Sequence, residues 1–94
     1  MKKAVFDFKE IQTLPHFYRL FQQQFGLESN LANNLDGLWD AVTGMIELPV
    51  KIEFINLTLN KLDKFEKLVS LFEDAQEELD DELEFSYFIG NEKF

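Results

Sequence analysis

Three short stretches of this chain alternate apolar and polar residues, and long runs of helical spacing separate each from the next. Over residues 3–8 the apolar positions are Val5, Phe6 and Phe8. Over residues 49–54 Val50, Ile52 and Phe54 alternate with Lys51 and Glu53, and near the end Leu83, Phe85, Tyr87 and Ile89 alternate again. Period two marks a strand with one covered face. Strands joined through helices rather than tight turns pair in parallel, because the crossover returns the chain to its starting edge. The polar positions Lys51, Glu53, Glu84 and Ser86 leave helices on one face of the sheet only. The pattern predicts a two-layer α/β fold with a small three-stranded parallel sheet, helices on one face and the order β-α-α-β-α-α-β.

The helical runs have their own punctuation. Thr13 is placed to cap a first helix, with Pro15 in its first turn, where a missing N–H costs little. Leu14, Phe17, Tyr18, Phe21 and Phe25 follow at helical spacing, and Gly26 is the stop. After a loop over residues 27–33, Asn34 is placed to cap a shorter helix in which Leu35, Leu38, Trp39 and Val42 fall at i, i+3, i+4 and i+7, ending at Gly44. Pro49 belongs at the start of the second strand, since it has no N–H for a ladder. A short helix is expected over residues 57–62. Asp63 is expected to cap a longer one with Phe65, Leu68, Val69, Phe72, Ala75 and Leu79 as its buried stripe.

At 94 residues the chain holds one core, so residues 1–94 are expected to form a single domain. It carries 18 Asp plus Glu against 9 Lys plus Arg, a net charge of −9. That field opposes direct binding of nucleic acid or of an anionic membrane. With no Cys there is no thiolate zinc site, disulfide or cysteine nucleophile. His16 is the only histidine, which removes a His-based triad or a multi-His metal site and leaves it as an ordinary surface or rim residue. Glycine-rich phosphate loops and a G-x-S-x-G elbow are absent as well. No enzyme activity, cofactor or metal is therefore expected. The start has only a short apolar run before Asp7, and no stretch approaches a membrane span. A cytoplasmic protein, a monomer when free, is expected.

Two acidic features remain. On the second helix Asp36, Trp39, Asp40 and Thr43 share a face, with the core stripe beside it. Asp36 and Asp40 are like charges at i, i+4, a cost of about 0.2–0.5 kcal/mol to an isolated helix that a cationic partner would relieve. Spacing alone favours the plainer reading, in which Asp36 favours the helix N-terminus and Asp40 is merely solvated. The second feature spans residues 73–84, with eight acids in twelve positions and no base. Asp74 and Glu78 form one ridge within it. Such a run is commonly a solvated face, yet acids near a helix C-terminus oppose its macrodipole.

The segment from Asn34 to Gly44, N-L-D-G-L-W-D-A-V-T-G, resembles the N-L-D-A-L-W-D-A-L-T-G motif of the barstar family of intracellular ribonuclease inhibitors. Lys2 to Val5, Glu47 to Glu53 and Phe72 to Glu78 fit the family in the same register, so the resemblance covers nearly the whole chain. It implies inhibition without chemistry: the second helix and the loop before it plug a basic active site, helped by the acidic last helix. Asp40 would then occupy the site of an RNA phosphate, and Asp36 would pair with a second cation. Thr43 and Gly44 would give hydrogen bonds and close approach, while Asn34, Leu35, Gly37 and Trp39 would be contact surface. Asp74 and Glu78 match family glutamates, Asp74 with a shorter arm.

The loop departs from the family pattern. Asn30 stands where the family has an aromatic that stacks on a catalytic histidine, Leu31 and Ala32 replace an aromatic and a glycine, and Met45 replaces a tryptophan. The expected partner is a basic, extracellular-type ribonuclease or nuclease toxin, with the loop retuned for it. Such a protein would serve as an immunity protein or antitoxin. An acidic interaction module or nucleic-acid mimic on the same fold, with a target that is not a ribonuclease, is the alternative.

Overall fold

A computed structural model describes residues 1–90. The elements follow in the order β1 (Lys2–Asp7), α1 (Leu14–Gln24), α2 (Leu35–Gly44), β2 (Val50–Ile55), α3 (Leu59–Lys64), α4 (Glu66–Leu79) and β3 (Leu83–Tyr87), with a single 3₁₀ turn at Asp80–Glu82 leading into β3. This is the expected α/β order. The strands form one parallel sheet with β2 in the centre, Lys2 opposite Val50 and Val50 opposite Leu83.

Side-chain alternation decides which face the helices cover. Ala4 and Phe6 of β1, Val50, Ile52 and Phe54 of β2, and Leu83 and Phe85 of β3 are all buried. The opposite face stays open and carries charge: Lys3 and Lys51 reach Glu53 at 3.4 and 3.6 Å, and Lys51 lies 3.8 Å from Glu84. Under the helices, nine of the ten phenylalanines among the described residues meet in one connected cluster. Phe54 touches five other rings of it, with centroids 4.8–6.0 Å away. Aromatic pairs in tilted and edge-on geometry add to the area they bury.

Helix ends are set largely as the sequence indicates. The Thr13 side chain accepts from the His16 N–H at 3.3 Å, and Pro15 sits in the first turn. Gly26, at φ +64, closes α1. Its N–H donates to Gln23 O and that of Leu27 to Gln22 O, the paired bonds that satisfy the last carbonyls of a helix. The Leu48–Pro49 peptide, just before β2, is cis.

Three expectations are corrected. The short helix runs over Leu59–Lys64, capped by the Thr58 hydroxyl, so Asp63 lies inside it and caps nothing. The long helix begins directly after Phe65 with no side-chain cap. Phe65 is 1% exposed and packs on Phe8 at 5.1 Å, so burying that ring fixes the junction in place of a polar cap. Finally, β3 ends at Tyr87, so Ile89 lies beyond the strand and is exposed, and Tyr87 is 37% exposed at the rim of the helical layer beside α3 and α4.

Candidate functional site

The α2 helix is anchored from beneath and open above. Leu38, Ala41 and Val42 are fully buried, and Leu35 and Trp39 are partly buried along its flanks. At roughly 100° per residue, Asp36, Asp40 and Thr43 point away from that buried stripe, and both carboxylates are exposed. Asn34 starts the helix with extended backbone, and its Oδ1 accepts from the Gly37 N–H at 2.7 Å. The Thr43 hydroxyl donates to the Trp39 carbonyl at 2.8 Å, which leaves only its lone pairs for a partner. Gly44 is exposed with open space where a side chain would be, so its backbone can be approached closely.

The loop before α2 is held by a residue that the sequence reading passed over. Gln22 is only 8% exposed although it is polar. Its Oε1 accepts from the Asn30 N–H at 3.1 Å and the Ala32 N–H at 2.9 Å, while its Nε2 donates to Tyr18 O at 3.1 Å. The signal was present: Gln22 lies four residues after Tyr18 and three before Phe25, a polar residue on an apolar stripe. Asn30 takes a left-handed conformation at φ +106, and Leu31 is 40% exposed. Ala32 is fully buried, so of the three altered loop positions it belongs to the core and not to the surface. At the other end of α2, Met45 is 48% exposed.

Gly37 brings loop and helix together. A Cβ there would lie 3.0 Å from the Leu31 carbonyl oxygen and 3.3 Å from Asn34 Oδ1. The missing side chain lets the loop fold back over the first turn.

Helix α4 packs against both α2 and β3. Asp74 and Glu78 are exposed on one flank of it. Its other flank, with Glu66, Val69, Ser70 and Glu73, joins Leu59, Leu62, Asp63 and Tyr87 around a groove of about 300 Å³. Neither α2 residues nor Asp74 and Glu78 line this groove. Neither α2 nor the second half of α4 contains Lys or Arg, and among the described residues every ion pair lies on the open sheet face. Lys67, in the first turn of α4, is the one base on the Asp74 and Glu78 face of that helix, while α2 carries two exposed carboxylates and no base.

Other chemistry is not assembled. Among the described residues no group of His, Cys, Asp or Glu could hold a metal ion, and no helix is long and apolar enough to cross a membrane. Asp7 has a lowered pKa because the Asn56 side-chain amide and the Lys9 N–H both donate to it; this locks the turn after β1, away from α2. The Tyr18 hydroxyl is pushed up by burial.

Comparison with known proteins gives these features a context. The chain is 28% identical over 87 residues to the protein named "Putative ribonuclease inhibitor YrdF" of Bacillus subtilis (strain 168), an alignment spanning 87% of this chain and 93% of that protein. Residues 1–90 match the family described as Barstar (barnase inhibitor), a span that runs from β1 through α2 and α4 to the end of β3. Sheet, helix order and central motif all fall within that match, and the chain belongs to the barstar family.

Proposed function

We propose that this protein inhibits a basic ribonuclease by covering its active site with the outward face of α2. The observation that carries the reading is the acidic α2 face on a rigid base: Asp36 and Asp40 exposed, Leu38, Ala41 and Val42 locked beneath, and no base on the helix. A ribonuclease active site must be cationic to hold phosphate. Asp40, near the middle of the face, enters the phosphate position, and Asp36 pairs with a second cationic group. Asp74 and Glu78 extend the negative field along α4. Leu35, Gly37, Trp39 and the backbone at Gly44 form the close contacts, and Asn34 keeps the first turn in place. Such a field steers the partner and raises the association rate, while desolvated charge pairs slow release. The free protein is a monomer acting in the cytoplasm as an immunity protein or antitoxin.

Leu31 and Met45, exposed at the two ends of α2, point to a target with aliphatic-accepting patches there. That target is a nuclease whose surface differs from one built for aromatic anchors. The test is a titration of RNA cleavage by barnase and by other small basic ribonucleases. Stoichiometric inhibition, with an association rate that falls steeply as salt rises, supports the reading. If no ribonuclease is inhibited, the acidic face serves a different kind of partner.

A further inference from the structure

We infer that Gln22, which lies outside every contact surface described above, is the positioning residue of the partner-binding loop. This rests on the inhibitor reading and deepens it. The loop between α1 and α2 has no regular structure, and its internal support is slight: one turn bond from the Leu31 N–H to Glu28 O at 3.2 Å. What fixes it is the Gln22 amide. Both lone pairs of Oε1 are taken by loop N–H groups, at 3.1 Å from Asn30 and 2.9 Å from Ala32. Nε2 is tied back to Tyr18 O, so the amide cannot rotate away. The Gln22 backbone is itself pinned, because its carbonyl accepts from the Leu27 N–H at 2.9 Å across the Gly26 turn.

The two clamped N–H groups flank Leu31. Between them the chain is held with Asn30 left-handed and Ala32 fully buried, and Leu31 is left 40% exposed beside the first turn of α2. Gly37 completes the arrangement by letting the Leu31 carbonyl approach the helix. Leu31 is thereby presented ready-made. A loop without the clamp would have to be ordered at the moment of binding, and that entropy would be lost from the affinity. A buried glutamine with a saturated acceptor thus sets how well an apolar contact performs several residues away.

The experiment compares the full-length protein with Gln22→Met, which keeps volume and removes all three bonds, and Gln22→Glu, which keeps the acceptor. Amide hydrogen exchange is measured first on the free proteins. Gln22→Met is expected to lower protection at Asn30 and Ala32 by about tenfold or more, with the amides of β2 unchanged, and Gln22→Glu to restore part of it. Equal protection in all three would overturn the clamp. The second measurement adds Leu31→Ala, alone and with Gln22→Met, against a ribonuclease that the parent protein inhibits. The inference expects each single change to weaken inhibition and the double change to add little to Gln22→Met. Fully additive losses would overturn the positioning role while leaving the inhibitor reading intact. Failure of the parent protein to inhibit barnase or any other basic ribonuclease would instead overturn the inhibitor reading and the functional role with it, although exchange would still decide the clamp.

Discussion

Replacing Asp40 with Ala should make this protein more stable and a much poorer inhibitor. Asp40 is the sixth of ten residues in α2 and stands one turn beyond Asp36. Among the described residues it forms no ion pair. Removing its carboxylate relieves a like-charge i, i+4 contact, about 0.2–0.5 kcal/mol. It also replaces a weak helix former with the best one, up to about 0.7 kcal/mol. Together the gain is about 0.5–1 kcal/mol, which for a domain of this size raises Tm by roughly 2–8 °C. The same carboxylate, once desolvated against cations in a complex, leaves an unpaired buried charge when removed, a loss of about 3–5 kcal/mol. Inhibition should then weaken by roughly 150- to 5,000-fold. Asp36→Ala is the control. Asp36 lies in the first turn, where a negative charge contributes about 0.3–1 kcal/mol, so its removal should yield no comparable gain. Urea melts and titrations of RNA cleavage measure both sides. If Asp40→Ala destabilises the fold by more than about 1 kcal/mol, the carboxylate holds structure and is not a free surface charge. Unchanged inhibition would show that the partner does not touch α2 at its centre.

Asn34→Ala removes the acceptor for the Gly37 N–H, and should cost about 1 kcal/mol, a Tm drop of roughly 4–8 °C; an unshifted melt would mean that the cap is redundant. Phe54→Ala empties the centre of the ring cluster and should cost about 3–5 kcal/mol, a large share of the roughly 5–14 kcal/mol expected for 94 residues. A loss in urea melts below about 1.5 kcal/mol, well short of the expected range, would contradict the packing described. Asp7 stabilises the folded state in its charged form, since hydrogen bonds from the Asn56 side chain and the Lys9 N–H hold its pKa below the ordinary 3.8. Its contribution is complete above that value and is lost as pH falls through the lowered one. The stability gap between the parent and Asp7→Ala should therefore close in acid; a gap that widens below about pH 4 would reverse the sign.

Periodicity made the sheet and most helices legible because each buries a single face of its own. Thr13, Gly26 and Asn34 were legible for the same reason: a cap is a bond between residues a few positions apart. The Asp63 cap failed because local chemistry competed with a distant contact. The spacing from Asp63 to Glu66 looks like a helix start, yet Phe65 had to reach Phe8, a neighbour that only the fold supplies. Gln22 was opaque on the same grounds. Its partners lie eight and ten residues further on in an irregular loop, where no period marks them. At the candidate site, the α2 carboxylates could be placed from helical spacing, but the burial of Ala32 and the exposure of Leu31 could not, since they depend on that clamp.

Most of the described lysines of this acid-rich chain are engaged by neighbours away from α2. Lys3 and Lys51 are drawn into ion pairs on the open sheet face, and Lys2 reaches Gln24 O and lies over the Phe25 ring. Lys61 donates to Phe8 O and Ile11 O, and Lys64 to Gln12 O, so both tie the α3 end of the molecule to the loop after β1. Five of the eight bases among the described residues are thus engaged away from α2. Spreading them evenly would neutralise the acids and gain a little stability at each pair, but exposed pairs contribute only about 0–1 kcal/mol apiece. The phenylalanine cluster supplies far more than that, so the fold does not depend on neutralising α2 and α4. Stability therefore resides in an apolar core that is indifferent to charge, and the α2 carboxylates are left without ion pairs among the described residues, as the proposed inhibition requires.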